Sequence, residues 1–295
     1  MAADIVEVDD LCRRFGNTLA LDHVSYRAGE GRAYGLVGAN GAGKTTFIKH
    51  LLGLLRARSG SVRIFGKDPV HEPVEVLGRI GYLSEERDLP EWMSIEQLMR
   101  YTRAYYPNWD NDYALELLET FHLDHSNKIK NLSKGMRAQV GLVAAVAHRP
   151  RLLILDEPSS GLDAMVREDI LDAIVRTVIF SSHLLDEVER MSDHITMIDA
   201  GRVVLDGELD TLMRRHRHSS VRFSSHQHPE PEIAGSLSLD GDGHSWHVIH
   251  ETTTEQISTA VAEMGGELVK SRNATLQEVF LARVGRNALM DEPVQ

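Results

Sequence analysis

Two groups of residues in this sequence have the types and spacing for phosphate chemistry. The first is Gly38-Ala39-Asn40-Gly41-Ala42-Gly43-Lys44-Thr45: a glycine, four residues, then Gly-Lys-Thr. Glycines at these offsets let the backbone fold so that successive N–H groups point inward at an anion. A helix beginning there adds about half a positive charge at its N-terminus. Lys44 brings a full charge for the β- and γ-phosphates of a nucleotide, Thr45 a hydroxyl where Mg²⁺ would sit, and Thr46 a second hydroxyl for the same phosphates. The second group is Asp156-Glu157, at the end of an aliphatic run over residues 152–155. At the edge of a sheet the two carboxylates separate their roles, Asp156 holding the Mg²⁺ shell and Glu157 pointing to the water that attacks the γ-phosphate. Without the glycine loop, the same pair would read as a solvated strand end.

The surrounding pattern supplies the elements that would hold these groups. Short aliphatic runs over residues 5–8 and 33–37 predict strands, the second ending in the glycine loop. After the loop, Phe47, Ile48, Leu51, Leu52 and Leu55 recur at helical spacing, so the order is strand, glycine loop, helix. Residues 61–65 and 80–83 predict further strands, and 95–106 and 113–121 predict helices. The bare aliphatic run at 152–155 and the segment 177–182 read as strands buried on both faces of a parallel sheet. An α/β core follows.

Composition narrows the function. The chain has 295 residues, enough for one large domain and a small one, with 42% hydrophobic and 26% charged residues, an ordinary globular balance. Its formal net charge of -12 disfavours nucleic acid as a partner. No apolar stretch approaches the roughly 18 residues that span a bilayer, and the first ten residues lack the basic, apolar pattern of a secretory signal. With Cys12 as the only cysteine, no internal disulfide can form. These features predict a cytoplasmic protein.

Three further segments lie in order around the two groups: Asn131-Leu132-Ser133-Lys134-Gly135-Met136, Ser160-Gly161-Leu162-Asp163 and Ser181-Ser182-His183. Singly, Ser133-Lys134-Gly135 reads as a helix cap and His183 as a core histidine. Together, the five motifs resemble the ATP-binding cassette family over about residues 4–213. That resemblance implies a phosphate-loop core of the RecA type with a helical subdomain at about 86–148, and ATP and Mg²⁺ as ligands. It implies a homodimer in which each cassette completes the other's site. Ser133 and Gly135 would contact the partner's γ-phosphate, His183 would bond the γ-phosphate of its own subunit, and Asp163 would couple the two sites. Phe15 matches the aromatic that stacks on adenine, with an ordinary core phenylalanine as the alternative reading. The implied function is the ATPase subunit of an exporter, peripheral at the inner face of the membrane and driving a separate permease chain. A non-hydrolysing regulatory subunit and a soluble cassette acting on ribosomes or DNA are the alternatives.

The sequence departs from the family pattern at three places. Lys134 replaces the usual glycine of the signature, as in the subfamily of drug, peptide and polysaccharide exporters. Glu85 stands where most cassettes carry a Mg²⁺-sensing glutamine; it can still accept a hydrogen bond from Mg²⁺-bound water, while Glu85 and Glu86 also read as a solvated pair. Asp163 and His183 lie only 20 positions apart. A helix of ~16 Å and a returning strand of ~16 Å just close that crossover, which makes His183 the motif residue most easily displaced and leaves impaired hydrolysis open.

A compositional change near Arg214 predicts a domain boundary, with residues 1–214 forming the ATP-binding domain and 215–295 a small α+β accessory or regulatory module. Its expected order is strand, strand, helix, final helix, after a polar and mobile stretch at 214–231. Seven of the 15 histidines fall between His216 and His250. Lacking cysteine partners, they read as solvated surface rather than as a metal site.

Overall fold

The computed structural model describes residues 4–86, 88–158, 177–224 and 229–285. They form two compact units that divide between Leu205 and Asp206. The first begins with β1 (Asp4–Phe15), β2 (Thr18–Gly29), β3 (Ala33–Val37), α1 (Lys44–Leu51), β4 (Ser59–Ile64), α2 (Pro73–Leu77) and β5 (Ile80–Leu83). Three helices follow, α3 (Ile95–Arg103), α4 (Asn111–Thr120) and α5 (Lys134–Val146). The chain then returns through β6 (Leu152–Asp156), β7 (Val178–Ser182), α6 (Leu185–Met191), β8 (His194–Asp199) and β9 (Arg202–Glu208), the last of which crosses the division.

Two sheets build the first unit. β1 lies between β2 and β4 in an antiparallel sheet, and a six-stranded sheet has the order β5-β6-β7-β3-β8-β9. From β5 to β8 the neighbours are parallel. Every residue of β6 and β7 is buried, as expected of central parallel strands covered on both faces. Parallel pairing has a further consequence: the C-terminal ends of β6, β7 and β3 lie side by side on one edge, where α/β sheets bind ligands. The helices are set by local signals. Ser94 caps α3 in a capping box with Gln97, and the Asp110 side chain caps α4.

The second unit holds α7 (Leu209–Arg215), β10 (Arg217–Phe223), β11 (Ser236–Gly241), β12 (Ser245–His250), α8 (Thr254–Glu263), β13 (Gly266–Asn273) and α9 (Leu276–Val284). Its antiparallel sheet has the order β11-β12-β10-β13 and encloses a core of Val221, Phe223, Ile233, Val248, Ile257 and Val261. Three expectations are corrected here. The compositional boundary at Arg214 falls within α7, because the change from helical to polar composition trails the structural division. Among its described residues the module has four strands rather than two. Residues 217–223, expected to be mobile, form β10 at the interior of the sheet, because Ser219, Val221 and Phe223 alternate inward among polar neighbours. His226 and His228 lie outside the described residues.

Candidate functional site

The glycine loop leaves the end of β3 and enters α1 directly. Its glycines are required by space and torsion. A Cβ on Gly38 would fall 2.3 Å from the Ile198 carbonyl oxygen, and one on Gly43 would fall 2.6 Å from that of Ala20, with Gly43 itself at φ +114°. Gly43 starts α1 without a side-chain cap, and the first turn carries no acidic residue. The helix therefore presents amides and its positive end to the loop with no side-chain anion in place. Ala42 closes the loop by donating its N–H to the Ala39 carbonyl at 3.1 Å, and its own carbonyl accepts from Gly201 at 2.9 Å. Asn40 and Gly41 are exposed at the tip, and Thr46 is half-buried.

Lys44 is buried at the centre. Its ammonium donates to the Gly38 carbonyl at 2.7 Å and the Ala39 carbonyl at 3.4 Å, and lies 3.2 Å from Glu157 Oε1. A lysine held on backbone carbonyls of a phosphate loop marks where anionic oxygens would take over as partners. Asp156, at the end of β6, is 2% exposed. Burial pushes its carboxyl above the usual carboxylate range, against hydrogen bonds from Ser181 and Thr45 that favour the ionised form. The Thr45 hydroxyl and the Asp156 carboxylate thus already meet, an all-oxygen pair suited to a hard divalent cation.

Glu157 follows at φ +49°, a left-handed conformation that costs a non-glycine residue about 1 kcal/mol. The turn sends its carboxylate back across the strand ends. There, besides Lys44, Oε2 meets His183 Nδ1 at 2.7 Å. His183 stands directly after β7, so the short Asp163–His183 spacing leaves it at the strand edge beside Glu157. Asp163 lies outside the described residues, as do Ser160, Gly161 and Leu162.

Other residues singled out from sequence lie apart from this pocket. Ser133 is exposed and caps α5, its hydroxyl accepting the Met136 N–H at 3.2 Å, with Gly135 in the first helical turn. Among the described contacts none joins Ser133 or Gly135 to Lys44 or Glu157. Glu85 is exposed after β5, in a depression lined also by Glu86, Leu132, Lys134 and Arg137. Phe15 ends β1 with 45% of its surface exposed and the Arg13 guanidinium 4.5 Å from its ring centroid, which excludes a core role. Two residues near the carboxylates had no assigned role. The Tyr82 hydroxyl is pushed up to about 12, by burial first and then by the charges of Asp156, Glu86 and Glu85. Ser181 contacts both Asp156 and Glu157; its place in Ser181-Ser182-His183 was the available signal.

The histidines of the second unit correct a further expectation. His216 and His250 are 1% and 0% exposed. His250 Nε2 and Nδ1 meet the hydroxyls of Ser219 and Thr252, both at 2.8 Å, so it is a satisfied core histidine. Neutral imidazole packs well once both nitrogens find partners, a property that composition does not reveal.

The sequence profile of the family described as "ABC transporter" matches residues 21–160. The daunorubicin resistance ATP-binding protein DrrA3 of Streptomyces coeruleorubidus is 34% identical, the alignment covering 99% of this chain and 99% of that protein. The bacitracin transport ATP-binding protein BcrA of Bacillus licheniformis is 32% identical over 72% of each. Among solved structures, one titled "Structure of ATP binding subunit of ABC transporter" superposes with a TM-score of 0.65 at 30% identity, covering 71% of this chain and 92% of that one.

Proposed function

From the premise that this chain belongs to the ATP-binding cassette transporter family and is an ATPase subunit of it, we propose that it energises a separate membrane permease in export. The observation that supports a hydrolytic site is the convergence of Lys44, Asp156, Glu157 and His183 at the C-terminal ends of adjacent parallel strands. Export follows from likeness to relatives named for daunorubicin resistance and bacitracin transport. Among the described residues no helix is long and apolar enough to cross a membrane.

In this reading the amides of residues 38–45 and the Lys44 ammonium grip the triphosphate, and exposed Phe15 stacks on adenine. Thr45 and Asp156 would hold Mg²⁺, with Glu85 as a further oxygen donor. When bound, the ion would neutralise charge on the β- and γ-phosphate oxygens. Glu157 accepts a proton from the attacking water, and His183 donates to the γ-phosphate. The exposed Ser133 and the half-buried Gly135 close a second copy's site, and Asp163 couples the two. Closing and opening of that dimer drives the permease from the inner membrane face. The accessory module, which begins at Asp206, serves dimerisation or regulation.

The test is Glu157→Gln in the purified chain. Turnover should fall at least about a hundredfold while ATP binding persists, and ATP should then trap a dimer visible by light scattering. Turnover near wild type would remove Glu157 as the base; a variant that stays monomeric with ATP bound would remove the closing dimer.

A further inference from the structure

Asp156 and Ser181 occupy paired positions on the neighbouring parallel strands β6 and β7, so their side chains leave the sheet at the same level. Ser181 is fully buried, and its one hydroxyl makes two contacts. It donates to Asp156 Oδ1 at 2.6 Å, and it accepts the Glu157 backbone N–H at 3.0 Å. The first bond occupies one carboxylate oxygen and leaves Oδ2 free of Ser181. The second satisfies an N–H that has left the strand ladder, at the residue whose left-handed torsion turns its carboxylate toward Lys44 and His183.

We propose that Ser181 is a positioning residue for hydrolysis, its hydroxyl setting the rotation of the Asp156 carboxylate and the backbone turn that aims Glu157. This rests on the reading of Asp156 and Glu157 as the cation-holding and water-activating pair. Only a side chain with a donor and an acceptor on one atom performs both tasks at this position. Alanine loses both, and threonine keeps both. Ser181 acts through these two neighbours.

The experiment compares full-length wild type, Ser181→Ala and Ser181→Thr, each also in a Glu157→Gln background for binding. Mn²⁺ is the cation probe, followed by electron paramagnetic resonance with ATP present. Ser181→Ala should weaken Mn²⁺ binding about tenfold, as for one charge-assisted hydrogen bond, while ATP affinity without cation stays within twofold of wild type. In the hydrolysing background its kcat should fall about tenfold or more with KM for ATP little changed, and Ser181→Thr should recover both quantities to within about threefold. Wild-type Mn²⁺ affinity and kcat in Ser181→Ala overturn the proposal. So does equal loss of cation-free ATP binding in the Ala and Thr variants, which would signal a packing role. Should Ser181→Ala fail to fold, Ser181→Cys, close in shape but a poor hydrogen bonder, must show the same split, and wild-type behaviour there overturns the proposal equally. Failure of the parent reading is distinct: it appears as undiminished turnover in Glu157→Gln alone.

Discussion

Both units bury ionisable groups, but they use them in opposite ways. In the second unit the charges close on one another. Arg272 and His218 both meet Glu278, and Arg283 and His216 both meet Glu251. In the first, Lys44 divides its ammonium between loop carbonyls and Glu157, and the helix start behind it has neither cap nor acidic side chain. A self-satisfied cluster stabilises a fold, whereas a cluster whose donors rest on stand-ins is built for a ligand. The contrast is testable, because substitutions in the first cluster should damage binding and those in the second should damage stability.

The largest effect should come from Lys44→Met. If this buried ammonium bonds phosphate as proposed, removing it should cost at least about tenfold and up to a hundredfold in ATP affinity, measured with a fluorescent analogue. An affinity within threefold of wild type would erase the distinction between the two clusters.

Next in size is an acid effect in the first unit away from the pocket. His148, after α5, donates Nε2–H to the Ile80 carbonyl at 3.1 Å and stacks on Tyr106, while its Nδ1 is buried without a partner. Burial lowers its pKa from 6.5 to about 4, against the backbone hydrogen bond that raises it. The folded state thus favours neutral imidazole. Its contribution is complete above about pH 6.5 and is lost as pH falls toward about 4, amounting to at most about 3 kcal/mol. In urea melts between these pH values, His148→Phe should flatten the decline in stability; an unchanged slope would assign the decline to other groups.

How much of this was readable in advance depended on how local the chemistry is. The phosphate loop was legible because glycine, lysine and threonine do their work within eight residues, and β6 and β7 because bare aliphatic runs mark central parallel strands. β2 was not read: its alternation breaks at Asp22 and His23, where the register with β1 shifts and His23 adopts φ +54°. β10 and the two core histidines were misread because burial of polar side chains depends on partners supplied from distant strands. The bonds of Ser181 likewise depend on the register between β6 and β7, which no spacing encodes. Glu85 and Glu86 are both exposed, which is compatible with either reading of them.

A smaller effect should come from the second unit's own cluster. Burial alone would raise the Glu278 carboxyl, but hydrogen bonds from Arg272, the Thr275 backbone and His218 outweigh it and hold the pKa at about 2. Such a group stabilises above its unfolded value near 4.5 and loses that contribution as pH falls toward about 2. The side chain is 23% exposed and Arg272 is 41% exposed, so solvent screening reduces the worth to about 1 kcal/mol. Glu278→Gln should lower stability by that amount at neutral pH with ATP affinity unchanged, and the gap from wild type should narrow below about pH 4.5. A loss of ATP affinity instead would break the separation of roles.

The aromatic residues sharpen the same comparison, with the smallest effect at Phe15. Phe223 and Phe280 of the second unit are 1% and 2% exposed, so truncating Phe223 should cost about 3 kcal/mol or more of folding free energy. Phe15 is 45% exposed, and a guanidinium is its ring's charged neighbour. Little apolar area is lost when it becomes alanine, so Phe15→Ala should change stability by less than about 0.5 kcal/mol. If the ring stacks on adenine, the same substitution removes a contact worth about 1 kcal/mol, a loss of roughly fivefold in ATP affinity. Inorganic triphosphate, which has no base to stack, should bind both proteins equally. Parallel titrations with ATP and triphosphate separate the outcomes. A matched loss for both ligands would show that Phe15 shapes the loop, and no loss for either would remove it from the site.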